Sequence, residues 1–158
     1  MITSAANLRT ILYGGQLEFL ILDRKSAETI TQSAPYILIS ITDPQNYELD
    51  WKVADVNCEG ILRLSFSDFE EVADPSQNKT VITDQQANEI TEFFLRHYDD
   101  GIRRVVIHCE MGLSRSSSVG RAISQLINGD SEEFDKFYLN STVYDKVYNS
   151  LAKRIGVK

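Results

Sequence analysis

The chain has 158 residues, of which 42% are hydrophobic and 25% are charged, a composition typical of one globular domain with a substantial core. Its formal net charge of −7 disfavours nucleic acid, anionic membrane surfaces and polyanionic substrates as partners, because the long-range field repels them. The sequence has neither the long apolar run of a membrane span nor a secretory leader, so we expect one domain over 1–158, soluble and cytoplasmic.

Three short apolar runs in the first half of the chain predict buried strands. They cover residues 17–22, 36–41 and 61–66. A brief helix is expected over 26–33, between the first two strands. The third run is followed by an acidic stretch that contains Asp68 and Asp74.

The second half of the chain continues the alternation of helices and strands. Thr83-Asp84-Gln85-Gln86 has the pattern of a capping box, and apolar residues then recur at helical spacing until residues 99–101. A fourth strand is expected over 104–108, a helix from about 116 to 127, and two helices between 134 and 155. The sequence therefore predicts an α/β domain with a central, mostly parallel sheet of about four to five strands flanked by helices.

The most informative segment is the loop that follows the fourth strand. It opens with Cys109 and closes six residues later with Arg115. The backbone N–H groups of Glu110 to Arg115 can turn inward, and the helix that begins near Ser116 adds the positive end of its dipole, so an oxyanion such as phosphate would bind there. The same field favours a thiolate over a thiol, so we expect Cys109 to be a nucleophile at neutral pH.

The other residues of this loop fit phosphoryl transfer. The planar guanidinium of Arg115 can bind two of the equatorial oxygens of the transition state. Gly112 lies where a backbone that bends around an anion needs a positive φ or a close approach. Ser114 and Ser116 can donate hydrogen bonds, and Ser116 is placed to stabilise the cysteine sulfur as a leaving group. The ring of His108 can fix the loop by hydrogen-bonding backbone carbonyls.

A resemblance to a known family follows from residues 108–116, here called the signature loop. The string His108-Cys109-Glu110-Met111-Gly112-Leu113-Ser114-Arg115-Ser116 resembles the phosphate-binding loop of the cysteine-dependent protein tyrosine phosphatases. Its Ser-Arg-Ser ending is similar to the dual-specificity branch, which includes compact bacterial and phage members. The close resemblance covers about residues 61 to 127. The position of the cysteine argues against low-molecular-weight phosphatases and arsenate reductases, which carry theirs near the N-terminus.

The resemblance implies a two-step mechanism and a set of site residues. Cys109 attacks phosphorus, Arg115 binds the phosphoryl group, and Ser116 helps to release the thiolate. The phosphate is expected to bind to the loop residues Glu110, Met111, Gly112, Leu113, Ser114 and Arg115. No cluster in the sequence has metal-ligand spacing, and we expect neither a metal nor a cofactor.

A general acid is needed as well, because a phenolate or alkoxide leaving group requires a proton. The family supplies an aspartate from an upstream loop. Asp68, directly after the strand at 61–66, occupies the matching place in the order of elements and is the predicted acid. Asp74 is the alternative, since the segment 68–82 is long enough to fold either carboxylate over the pocket.

The predicted function is a monomeric phosphatase of the dual-specificity type. Its expected substrates are phosphotyrosine in proteins, with phosphoserine and phosphothreonine as further candidates, or a small phosphate monoester. No lysine lies between Cys109 and Arg115, which argues against phosphoinositides. Two alternatives remain open: a rhodanese-like sulfurtransferase, which also places a cysteine on an anion-binding loop, and a phosphate-binding module without catalysis.

The second cysteine of the chain is Cys58. Two cysteines in a chain of this kind indicate a reducing compartment, so Cys58 is predicted to be a small buried apolar residue. The alternative is that it protects Cys109 through a reversible disulfide when the thiolate is oxidised.

Overall fold

The computed structural model describes residues 16–44, 53–69 and 80–157. In these ranges the elements are β1 (Glu18–Asp23), α1 (Arg24–Glu28), β2 (Tyr36–Thr42), β3 (Cys58–Ser65), α2 (Asp84–Asp99), β4 (Arg104–Cys109), α3 (Arg115–Ile127), a short 3-10 helix (Glu132–Phe134) and α4 (Ser141–Ile155). Within the described ranges, every helix is too short or too polar to cross a membrane.

The four strands form one sheet in the order β1-β4-β2-β3, and every pairing in it is parallel. This confirms the predicted α/β class. Because parallel strands all end at the same edge of a sheet, the residues that end β1 and β4, Asp23 and Cys109, lie side by side. The chain segments that leave β2 and β3 begin at this carboxyl edge too, so the predicted catalytic segments start close together.

The core is divided unequally between the two faces of the sheet. Alternate residues of β2, namely Ile37, Ile39 and Ile41, belong to the larger cluster, which also contains the buried faces of α2, α3 and α4. Leu38 belongs to a smaller cluster on the other face. Both faces of β2 are therefore buried, which explains why its sequence is a continuous apolar run rather than an alternating one.

The helices differ from the sequence prediction at two places. The first helix spans Arg24–Glu28 rather than 26–33, because the carboxylate of Asp23 accepts a hydrogen bond from the N–H of Ser26 and starts the helix earlier. Near the C-terminus there is one α-helix and a single 3-10 turn, not two α-helices. Between the 3-10 turn and α4, the N–H of Tyr138 donates to the carbonyl of Leu113. This segment is therefore hydrogen-bonded to the signature loop and does not form a second helix.

The capping box predicted for α2 is confirmed. The hydroxyl of Thr83 accepts from the N–H of Gln86, and the side chain of Gln86 accepts from the N–H of Thr83. The side-chain Nε2 atom of Gln86 also donates to the carbonyl of Ser65 at 2.9 Å. The start of α2 is thereby attached to the last residue of β3.

The disulfide alternative for Cys58 is wrong. Cys58 begins β3 opposite Tyr36, whereas Cys109 ends β4 beyond the pair Ser40 and His108. The two cysteines therefore lie at opposite ends of a parallel sheet, separated by about five residues of rise or roughly 16 Å, and a disulfide requires Cα atoms within about 7 Å. Cys58 is also only partly buried, because β3 is an edge strand.

Candidate active site

Cys109 is the last residue of β4, and only 2% of it is exposed. The N–H of Gly112 donates to its Sγ atom at 3.2 Å, and the Oγ of Ser116 lies 3.2 Å from the same sulfur. The first contact comes from the middle of the signature loop and the second from the first turn of α3. The loop therefore encloses the sulfur and directs polar groups toward it, as expected for a stabilised thiolate.

The pKa of the Cys109 thiol reflects two opposing influences. Burial by itself would raise the pKa, because surroundings of low polarity disfavour a thiolate. Hydrogen bonds from the side chain and backbone of Ser116, together with the charge of Arg115, outweigh burial, and the pKa lies below its ordinary value. Burial raises the pKa of the Cys58 thiol instead. The fold thus favours the thiolate at Cys109 and the neutral thiol at Cys58.

Gly112 satisfies both of the conditions that the sequence predicted for it. Its φ is +69°, a left-handed conformation that other residues rarely adopt. A Cβ atom at this position would lie 2.7 Å from the backbone nitrogen of Asp23 and 2.8 Å from the carbonyl carbon of Leu22. The signature loop therefore passes directly against the end of β1, at a distance that only glycine permits.

Arg115 is the first residue of α3, and its side chain is buried. Its Nη1 atom donates to Oδ1 of Asp43 and to the carbonyl oxygen of Phe66, at 2.7 Å in each case. The Nε atom is also buried and has no hydrogen-bond partner among the described residues. The guanidinium is therefore anchored at one end and retains at least one buried donor for an anion.

His108 is the first residue of the signature loop and lies on β4 between β1 and β2, where it is fully buried. Its Nε2 atom is 2.6 Å from the Oγ of Ser40 on β2, and its Nδ1 atom is 3.3 Å from the carbonyl oxygen of Cys109. Burial lowers the pKa of His108, so the ring is neutral at pH 7. If Nδ1 donates to the carbonyl, Nε2 accepts from the hydroxyl of Ser40. The carbonyl contact was expected from the sequence, whereas the contact to Ser40 was not.

The carboxylate of Glu110 is bound by residues outside the signature loop. A negative side chain is unusual in an anion-binding loop. It accepts a hydrogen bond from the N–H of Asp43 at 3.0 Å and forms an ion pair with Arg24 at 3.5 Å. The backbone N–H of Arg24 also donates to the carbonyl of Glu110. Glu110 thus joins the signature loop to the segments that follow β1 and β2.

Asp68, the predicted general acid, is hydrogen-bonded to the signature loop at Ser114. Its Oδ1 atom accepts a hydrogen bond from the Oγ of Ser114 at 3.0 Å and another from Nδ2 of Asn140 at 2.9 Å. The segment after β3 is therefore attached directly to the signature loop. Asp74, the alternative acid, lies outside the described residues.

Four exposed apolar side chains lie in the signature loop or in segments hydrogen-bonded to it. Met111 is 70% exposed, Leu113 is 44% exposed, and Tyr138, which is hydrogen-bonded to Leu113 through the backbone, is 73% exposed. Phe69, next to Asp68, is 39% exposed. We call these four residues the apolar rim.

Two polar residues of the site were not predicted from the sequence, Asp43 and Asn140. Asp43 follows the end of β2 at the carboxyl edge of the sheet, a position that could have marked it as a candidate. The signal for Asn140 was weaker, because an asparagine before a helical pattern indicates an N-cap and nothing more. Among the described residues, no group of three or more His, Cys, Asp or Glu side chains is arranged to hold a metal ion.

Comparison with solved structures finds the same fold in tyrosine phosphatase-like proteins. The human tyrosine phosphatase-like serine/threonine/tyrosine-interacting protein matches with a TM-score of 0.57 at 14% identity, over 86% of this chain and 92% of that one. Tk-PTP in its active form matches with a TM-score of 0.54 at 19% identity, over 90% and 95% of the two chains. Neither a scan of protein-family models nor a search of curated proteins gives a match. The chain therefore has the fold of the cysteine-based protein tyrosine phosphatases, in agreement with the resemblance of the signature loop.

Proposed function

We propose that this chain is a phosphatase that hydrolyses phosphate monoesters through a covalent phosphocysteine on Cys109. The observation that carries the proposal is the pair of 3.2 Å contacts to the Cys109 sulfur, one from the Gly112 N–H and one from the Ser116 hydroxyl. Burial would raise the pKa of the thiol, but the hydrogen bonds of Ser116 and the charge of Arg115 outweigh burial and lower it. A thiolate next to a site for an oxyanion supports nucleophilic attack on phosphorus.

In the first step, the thiolate of Cys109 forms a bond to phosphorus as the bond from phosphorus to the ester oxygen breaks. Asp68 gives its proton to the departing oxygen, which leaves as an alcohol or phenol. The inward N–H groups of the loop and the guanidinium of Arg115 bind the equatorial oxygens. Because Nη1 is anchored by Asp43, the buried Nε is available to the phosphoryl group.

In the second step, a water molecule attacks the phosphocysteine and the bond from phosphorus to sulfur breaks. Asp68, now a carboxylate, accepts a proton from that water, which restores the acid. The sulfur departs as a thiolate, and the hydroxyl of Ser116 can donate a hydrogen bond to it at the observed separation of 3.2 Å. The products are inorganic phosphate and the original thiolate of Cys109.

The role proposed for Asp68 is tested by changing the leaving group. Asp68→Asn is expected to lower turnover of an unactivated phosphotyrosine peptide by about two to four powers of ten, the usual scale of general acid catalysis. The loss should be much smaller with an aryl phosphate whose leaving group departs without a proton. Equal losses on both substrates would remove Asp68 from this role, and a selective loss in Asp74→Asn would assign the role to Asp74.

The apolar rim supports an ester carried on an apolar or aromatic group as the substrate. Met111 and Leu113 expose apolar surface next to the phosphate-binding backbone, where the phenyl ring of a phosphotyrosine would lie. Arg115 supplies the cation of the loop, and the net charge of −7 opposes polyanions. We therefore propose phosphotyrosine in proteins as the principal substrate class, with phosphoserine and phosphothreonine as further candidates.

The activity is tested by hydrolysis of an aryl phosphate in the presence of a chelator, with vanadate as inhibitor. The wild type is expected to release phosphate in a vanadate-sensitive manner, and Cys109→Ser is expected to have no activity above background. Arg115→Lys keeps the charge but loses the planar donors, so we expect a loss of at least about a hundredfold. Full activity in both variants would refute the proposed site.

A second candidate is a phosphate-binding module without catalysis. It is favoured by one similar structure, since the human neighbour is described as an interacting protein. Tight binding of a phosphopeptide with no turnover, unchanged in Cys109→Ser, would support this candidate. A sulfurtransferase, the other alternative from the sequence, would instead transfer sulfur from thiosulfate to cyanide.

A further inference from the structure

Asn140 makes hydrogen bonds to three separate parts of the fold, and only 3% of it is exposed. Its backbone N–H donates to the Oγ of Ser118 on α3 at 2.9 Å. Its Oδ1 accepts from the N–H of Val143 at 3.1 Å and so caps α4. Its Nδ2 donates to Oδ1 of Asp68 at 2.9 Å and to the carbonyl of Phe69 at 3.4 Å. Asn140 therefore attaches the segment that carries Asp68 to the helix that follows the signature loop.

These contacts allow one orientation of the Asn140 amide. The oxygen of an amide can only accept, and its nitrogen can only donate. A flipped amide would place the NH2 group against the N–H of Val143 and the oxygen against the carbonyl of Phe69. Both contacts would be repulsive, and the cap of α4 would be lost. The group that faces Asp68 is therefore always a donor.

The fixed donor makes the two carboxyl oxygens of Asp68 different. Oδ1 accepts from Nδ2 of Asn140 and from the hydroxyl of Ser114 at 3.0 Å. A hydroxyl can rotate and accept instead, but the amide NH2 cannot. A proton on Oδ1 would therefore have to point at Ser114 and reverse that hydrogen bond, and the protonated oxygen would be a weaker acceptor for the amide of Asn140. Oδ2 has no hydrogen-bond partner among the described residues, so a proton there disturbs neither bond, and Oδ2 is the favoured position for the proton of the neutral acid.

We propose that Asn140 is a positioning residue that keeps the acidic proton of Asp68 on Oδ2 and so presents it to the leaving oxygen of the substrate. This inference rests on the proposed phosphatase function. Asn140 would act through Asp68 and would not touch the substrate. Because it also caps α4, the direction of the proton is linked to the packing of the C-terminal helix.

The test uses Asn140→Ser, which keeps an oxygen able to cap α4 and removes the amide donor. Its kcat is compared with that of the wild type on a phosphotyrosine peptide, whose leaving group needs a proton, and on an activated aryl phosphate, whose leaving group does not. We expect a loss of about 10- to 100-fold on the peptide, the scale on which a misplaced catalytic group costs rate, and a much smaller loss on the aryl phosphate. KM should change little on either substrate.

A double-mutant cycle adds a second measurement. If Asn140 acts through the acid, Asn140→Ser should cause little further loss on the peptide in the Asp68→Asn background, so that the two effects are not multiplied. Thr83→Ala is the matched control, since it removes the side-chain cap of α2 without contacting Asp68. It should lower the urea midpoint without a selective loss on the peptide.

The outcomes separate this inference from the function on which it rests. Equal losses on the two substrates in Asn140→Ser, or multiplied losses in the double variant, would show a structural role and overturn the inference while the phosphatase activity stands. A wild-type protein that hydrolyses neither substrate would contradict the proposed function, and the positioning role would fall with it.

Discussion

The Nη1 atom of Arg115 lies 2.7 Å from Oδ1 of Asp43, and the same atom donates to the carbonyl of Phe66 at 2.7 Å. Asp43 follows β2 and Phe66 follows β3, so the arginine at the start of α3 is attached to the ends of two strands. A guanidinium held in this way keeps its planar donors in one orientation before a phosphate arrives. The conformational entropy of this long side chain is then lost when the protein folds and not when the substrate binds.

Substitution of Asp43 should therefore reduce activity, because Asp43 holds Arg115 in place, although its proposed effect on the substrate is only through Arg115. Asp43→Asn retains an acceptor and loses the charge, whereas Asp43→Ala loses both. We expect kcat on an aryl phosphate to fall by about 10-fold in the first variant and by about 100-fold in the second, since small displacements of a binding group have effects of this size.

The control for Asp43 is Asp135→Ala, which breaks an exposed ion pair with Arg121 at 2.6 Å on the outer side of α3. Exposed pairs contribute little, so this variant should keep its activity and its stability. Steady-state kinetics of the three variants measure whether the activity depends on the contact between Asp43 and Arg115. Wild-type turnover in Asp43→Ala would show that Arg115 does not depend on this contact.

The two thiols of the chain should titrate in opposite directions. Burial raises the pKa of Cys58, whereas the hydrogen bonds of Ser116 and the charge of Arg115 lower the pKa of Cys109. The thiolate is the form that reacts with alkylating reagents. The alkylation rate of Cys109 should therefore reach half of its maximum at a lower pH than that of a free cysteine, whose pKa is about 8.5. The rate for Cys58 should rise only at higher pH.

Mass spectrometry of the separate cysteine peptides over a pH series measures both rates in one sample. Ser116→Ala should move the Cys109 profile to higher pH and leave the Cys58 profile where it is, because Ser116 contacts only the first of the two sulfurs among the described residues. Superimposable profiles for the two cysteines in the wild type would contradict the proposed thiolate.

The local geometry of the signature loop could be predicted because its determinants are close in sequence. The contact between Cys109 and Ser116 spans seven positions, and the need for glycine at 112 follows from a tight turn around an anion. Strand positions were also predictable, since buried parallel strands are continuous apolar runs. In each case the residues that decide the structure lie within one segment of the chain.

The roles of Asp43 and Asn140 could not be predicted, because their partners are distant in sequence. Both the contact of Asp43 with Arg115 and that of Asn140 with Asp68 join residues separated by 72 positions. They depend on the strand order and on how α4 packs against α3, and acidic or amide side chains in loops are common. The lengths of the first helix and of the C-terminal region also depended on single tertiary or capping hydrogen bonds.

Gly112 should be far less tolerant of substitution than another glycine with a similar backbone. Gly112 has φ +69° and Gly129 has φ +86°, so alanine is strained at both positions. A Cβ at 112 would also meet backbone atoms of Leu22 and Asp23 at 2.7 to 2.9 Å, whereas nothing lies within 4 Å of one at 129. The difference between the two variants therefore isolates the close approach from the conformational strain.

We expect Gly129→Ala to lower the free energy of unfolding by about 1–2 kcal/mol and to keep its activity. Gly112→Ala should lose more stability, because backbone atoms cannot move aside, and its activity should fall by at least about a hundredfold as the loop is displaced. Urea denaturation and hydrolysis of an aryl phosphate measure the two effects. Equal results for the two variants would mean that the loop can accommodate a side chain against β1.

His108 should make the stability of the fold dependent on pH. Burial lowers the pKa of His108, and it outweighs the hydrogen bond to the carbonyl of Cys109 and the charge of Glu110, which act in the opposite direction. In the unfolded chain a histidine titrates near pH ~6.5. As the pH falls below that value, the unfolded chain takes up a proton that the folded protein does not, so the free energy of unfolding decreases until the lower pKa of the folded state is reached.

Replacement of the His108 ring should therefore reduce the difference in the free energy of unfolding between pH 7 and pH 5. This holds whatever the substitution does to the free energy of unfolding at pH 7. We expect His108→Gln to lose less free energy of unfolding over this interval than the wild type in urea titrations. Burial also lowers the pKa of His97, so His97→Gln should reduce the same difference independently. If His108→Gln lost as much stability on acidification as the wild type, the His108 ring would have to be charged in the folded protein, and its bonds to Ser40 and to the Cys109 carbonyl would need to be assigned again.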